Sequence, residues 1–161
     1  MLLSFATWLQ DTALAQWVAL EGFPWVESCH VVCITTVVGT VTIVDLRLLN
    51  LTSRHSRVAQ ISNDMLPFTW CAFALAALTG GLLFISKPLI YVADFPFQMM
   101  MLGIALAGVN MLIFHFTAYR RVADWDGQPD TPMAAKIAAA LSLLFWATVI
   151  ICGRWIGFTV R

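Results

Sequence analysis

The chain has 161 residues, 60% hydrophobic and only 11% charged, where an ordinary soluble domain carries about a quarter charged residues. Its formal charge is zero at pH 7, which gives no reason to expect nucleic acid or an acidic partner. These values exclude a typical soluble domain and make the lipid bilayer the first partner.

In chain order, residues 2–20 (LLSFATWLQDTALAQWVAL) have a helical pattern, but Gln10, Asp11, Thr12 and Gln16 make them too polar to span. Leu2, Phe5, Leu9 and Ala13 share one face, and Trp8 and Trp17 suit a membrane interface. The expectation is an amphipathic interfacial helix, with a helix packed on the bundle end as the alternative. Gly22-Phe23-Pro24 is expected to break it. The N-terminus lacks the basic flank and the short apolar run of a cleavable signal, so none is expected.

The first span is expected over about residues 25–49, and it carries Glu27, His30 and Asp45. At one hundred degrees per residue these three share a narrow stripe with Ile34, Val38 and Val41. An ionisable group inside a span is costly and marks either function or an internally paired polar core. Asn50 to Asp64 reads as a polar connection, and Pro67 as a first-turn proline of a second span over about 66–86. Thr79-Gly80-Gly81 near its end allows close helix contact.

Lys87 to Pro96 reads as a short loop before a third span over about 97–119, with Gln98, Met99 to Met101, Asn110 and His115. Gly103 and Ala107 form a small-xxx-small pair. Asp124, Asp126, Gly127, Pro129 and Pro132 exclude a span from the next loop. The fourth span, about 133–158, carries Arg154. The fold class is therefore all-α: one integral membrane domain, a four-helix transmembrane bundle with an N-terminal amphipathic helix. Basic residues concentrate in the connections after spans one and three (Arg47, Arg54, Arg57, Arg120, Arg121, Lys136). That places both termini outside, in the periplasm if the chain sits in a bacterial inner membrane.

Depth restricts which groups meet. With both spans starting outside, His30 lies about 6 Å and His115 roughly 27 Å below their outer ends. One haem or one metal cannot take both within a chain, although a homodimer would bring a second copy of each. An outer group collects Glu27, His30, Thr79, Gln98, the three methionines and Arg154. An inner one collects Asp45, Arg47, His55, Trp70, Asn110, Met111 and His115. Glu27 is expected to pair with Arg154, and Asp45 with Arg120 or His115.

Four functions follow from these residue types. A b-type haem needs an axial imidazole with a second His or a Met opposite. His30 with Met99, Met100 or Met101, or His115 with His55 or Met65, would supply them. Copper favours thiolate and thioether donors, here Cys29, Cys33, Met99 to Met101 and His30, though Cys29 points about a hundred degrees from His30. A proton-coupled carrier could use Glu27, His30 and Asp45, but the middle of that stripe is apolar. A non-enzymatic accessory or assembly subunit would use its polar groups for internal pairing. There is no Gly-rich phosphate loop, HExxH, CxxC or Ser-His-Asp arrangement, and the chain is not expected to be an enzyme on its own. The leading expectation is a small inner-membrane electron-transfer subunit that binds haem b, alone as a homo-oligomer or within a larger membrane complex.

Several stretches together resemble a domain-of-unknown-function family of short bacterial membrane proteins. They are Glu27-Ser28-Cys29-His30, Asp45 to Leu49 (DLRLL), Leu66 to Trp70 (LPFTW), Thr79 to Phe84 (TGGLLF), Asn110 to His115 (NMLIFH) and Gly153-Arg154. The resemblance covers nearly the whole chain. It implies four helices and singles out Glu27, His30, Asp45, Arg47, Asn110, His115 and Arg154, and it implies no activity. A looser likeness to four-helix cytochrome b and copper-resistance membrane proteins rests on helix count and histidine placement.

Overall fold

The four apolar runs form four long helices in the computed structural model, which describes residues 7–52, 56–126, 128 and 130–160. A short helix α1 (Ala13–Trp17) passes through a π-type turn (Val18–Gly22) into α2 (Phe23–Leu48). Then come α3 (Val58–Ser86), the short α4 (Pro88–Ala93), α5 (Phe95–Phe116), a 3-10 turn (Tyr119–Arg121), the single turn α6 (Val122–Trp125) and α7 (Met133–Thr159). The helices α2, α3, α5 and α7 are each long and apolar enough to cross a bilayer, which makes this a multi-pass membrane protein.

The expected Lys87–Pro96 loop is largely the helix α4, with Pro88 and Pro96 each tolerated in a first turn, so α5 already starts at Phe95. Two further boundaries differ from the sequence reading, each for a physical reason. The chain does not break at Gly22-Phe23-Pro24. Gly22 and Phe23 keep helical dihedrals, and Pro24 occupies a first-turn position where its missing N–H is tolerated. Gly22 instead makes room: a Cβ there would lie 2.6 Å from the Trp17 ring. The first helical run packs on the far end of α3, burying Ala15 and Val18 and leaving Trp17 and Leu20 exposed.

The second difference lies at the start of α3. It begins at Val58, so Pro67 is inside the helix rather than in its first turn. Asp126, 68 residues on, makes this start possible. Its carboxylate accepts the Val58 N–H and, at 3.1 Å, the Ala59 N–H, satisfying two amides that a helix N-terminus leaves unpaired. The start of α5 is capped locally, by Asp94 accepting from the Phe97 N–H at 3.1 Å.

The bundle consists of two tight helix pairs, α2 with α3 and α5 with α7, joined where α2 meets α7. Small side chains set the second pair. Gly103 and Ala107 are buried, and a Cβ on Gly103 would lie 3.0 Å from Val149 Cγ2. The expected small-xxx-small face thus packs on α7. Asn110 adds a bond across the same contact, donating from Nδ2 to the Ala138 carbonyl at 2.8 Å. In the first pair, the Thr40 and Thr69 hydroxyls lie 2.8 Å apart. At the end where α2 finishes, Leu48, Val58, Trp125, Ala135 and Ala139 form the hydrophobic core cluster.

Candidate functional site

Polar side chains gather at two levels, one near each end of α2. At the histidine level, the His30 ring lies in the α2–α3 contact. Its Nδ1 is 3.0 Å from the Thr79 hydroxyl. The ring packs against Gly80, where a Cβ would come within 3.0 Å of His30 Cε1. Thr79-Gly80 therefore supplies both a polar contact and the space for the ring. Glu27, one turn earlier, is exposed and bears electrostatically on both His30 and Tyr91. Tyr91, in the connection outside the spans, packs with Phe84 and Phe97 at centroid distances of 6.3 and 5.6 Å. Burial raises its phenol above the ordinary range, and Glu27 and Asp94 raise it further.

At the arginine level, α2 ends in a Schellman cap. Asn50 takes the left-handed conformation (φ 58°), its N–H reaching the Arg47 carbonyl and the Leu51 N–H the Leu46 carbonyl, each at 3.0 Å. Asparagine tolerates this backbone, and its side chain is used as well. Asn50 Oδ1 accepts from Arg47 Nη1 at 3.1 Å and from the Thr131 hydroxyl at 2.9 Å. Arg47 Nε donates to the Ser56 carbonyl at 2.8 Å. Arg47 is 4% exposed, so its guanidinium is held inside the protein by neutral oxygen acceptors. Asp45, two residues earlier and on the opposite side of the helix, is 6% exposed, and Ser142 of α7 bears on it electrostatically. Its Oδ2 has no hydrogen-bond partner.

The expected pairings are not formed. Arg154 lies 4.9 Å over the Phe158 ring, not against Glu27. Among the described residues the one ion pair is the outlying Lys136–Asp130 contact at 4.0 Å, so Asp45 meets neither Arg120 nor His115. His115 is exposed and stacks on Tyr119 at 5.0 Å. The reason is position: His115 lies in the last turn of α5, and its ring turns along the chain toward the following loop.

The candidate haem and copper donors sit in separate contacts. His30 packs on α3, whereas Met100 of α5 packs against α7, with Sδ 3.5 Å from where a Gly153 Cβ would be. Met99 faces an apolar groove with Phe95, Pro96, Ile151, Cys152 and Trp155. Cys29 is exposed and Cys33 half-buried. Among the described residues no three His, Cys, Asp or Glu side chains converge. His55 lies outside the described residues. Among the described donors, His30 and Met100 thus sit in different helix contacts.

Sequence reasoning missed Asn50, Ser56, Thr131 and Ser142, and treated Asp126 only as a loop former. Asn50 had a readable signal, since an asparagine just past an apolar helical run favours a left-handed cap. The partners of Asp126 and Thr131 had none, because the contacts join residues 68 and 81 positions apart.

The model of a family of unknown function, DUF6644, matches residues 7–159, and the chain belongs to that family. No curated protein and no solved structure matches it.

Proposed function

We propose that this member of a family of unknown function is a non-catalytic subunit of a larger complex in a bacterial inner membrane, with both termini in the periplasm. One observation carries this reading: the polar groups within the spans fasten helices to one another. His30 meets Thr79, Thr40 meets Thr69, Asn110 meets Ala138, and Arg47, Asn50 and Thr131 close the end of α2. An electron carrier would turn such groups toward a cofactor, and a hydrolase toward a substrate cleft. The concentration of basic residues after the first and third spans supports the orientation.

The test is to purify the tagged full chain from its native membrane in mild detergent and measure particle mass and absorption together. A stoichiometric complex much heavier than the chain, with no haem bands from this subunit, is the expected result. A lone or purely self-associated chain would overturn it. A Soret band that disappears with His30→Ala would replace it by the electron-transfer reading, with His30 as an axial ligand.

A further inference from the structure

Asp45 is the group that the fastening scheme leaves over. It is 6% exposed, its Oδ2 lacks any hydrogen-bond donor, and the Ser142 side chain of α7 bears on it electrostatically. The nearest cation along the helix, Arg47, is two residues on and roughly 200° round the axis. Its Nε and Nη1 are bonded to Ser56 and Asn50. On the elements packed around α2, Lys136 of α7 contacts Asp130, Asp64 of α3 is exposed, and His115, Arg120 and Arg121 beyond are exposed. None of these charged groups forms an ion pair with Asp45.

We propose that Asp45 is the seat of a neutralising monovalent cation, a proton or a sodium ion, held at the α2–α7 contact. A bare carboxylate in buried surroundings is strongly unfavourable, and with no basic partner among the described residues it takes up positive charge from outside them. A divalent ion does not suit the site. One carboxylate balances only one of its two charges and would leave the buried site with net positive charge. The seat is also closed. Asp45 is itself more than nine-tenths buried, and the core cluster of Leu48, Trp125, Ala135 and Ala139 lies at the same end of α2. The ion is therefore occluded rather than in passage, and this holds whether or not the chain works within a larger complex.

Infrared difference spectra and thermal unfolding of the purified full chain, in sodium chloride against equimolar choline chloride, test this. A bound proton gives the carbonyl stretch of an un-ionised carboxyl. That band is insensitive to sodium, lost in Asp45→Asn and shifted in Ser142→Ala. Bound sodium gives no such band, and instead a higher unfolding temperature in sodium than in choline, abolished by Asp45→Asn. If Asp45→Asn does not fold, the Ser142→Ala shift and the sodium dependence of the wild type decide alone. Neither a carboxyl band nor a sodium effect in the wild type overturns the proposal.

Discussion

The two ends of α2 use polar residues in opposite ways. At the arginine end, one side chain serves several partners: Asn50 caps its own helix, accepts from Arg47 and receives Thr131 from a loop 81 residues away. At the histidine end, contacts are pairwise. His30 meets one hydroxyl and one glycine, and the surrounding Glu27 and Arg154 stay exposed. The difference teaches that a charged residue in a span is not by itself evidence of a reaction. Arg47 is more deeply buried than His30, yet its bonds are those of a fastener.

The sharpest way to break this contrast is Arg47→Met. It removes bonds to Ser56 and Asn50 inside the protein, where charged hydrogen bonds are worth about 1.5–3 kcal/mol each. Unfolding in detergent should show a loss of about 3 kcal/mol or more, and a loss under 1 kcal/mol would refute the fastener role. Next is Asp126→Ala, which uncaps Val58 and Ala59. A loss of about 1–2 kcal/mol is expected, with faster amide exchange confined to the start of α3.

At the histidine end smaller effects are expected. Gly80→Ala places a methyl 3.0 Å from the His30 ring and should cost about 1 kcal/mol, whereas Gly81→Ala, with nothing within 4 Å, should be neutral or stabilising by up to about 1 kcal/mol. Equal behaviour of the two would show that the ring is not seated there. Thr79→Val should cost only about 0.6 kcal/mol, the usual scale of a hydrogen bond between spans.

The Tyr91 corner responds to pH. Its folded phenol is raised above the unfolded value, so its contribution is full below the ordinary phenol range and is lost as pH rises through the folded one. Unfolding temperature should therefore fall in the alkaline range and fall less in Tyr91→Phe. Parallel alkaline profiles would remove Tyr91 as the cause.

The helices were legible because twenty apolar residues in a row have few alternatives in a bilayer, and the Gly103–Ala107 face because spacing alone reveals it. The His30–Thr79 level was legible from helix rise. The starts and ends of helices were not. Val58 begins α3 because of Asp126, and no local pattern around Val58 announces a cap that arrives from another loop. Pairing by charge misled for a related reason: depth brought Glu27 and Arg154 to one level, but it does not give the direction in which either side chain points.

Asp126 and Thr131 also impose an order of events on synthesis. Both helices of the first pair are synthesised before either residue exists, with the Val58 and Ala59 amides uncapped and Asn50 lacking its Thr131 donor. The loop that closes this pair is the one that precedes the last span. The early half of the chain is therefore latched from the late half, and insertion becomes secure only when the final hairpin arrives. Chains stalled before residue 126 should be cut by protease near Val58, and released full-length chains should not.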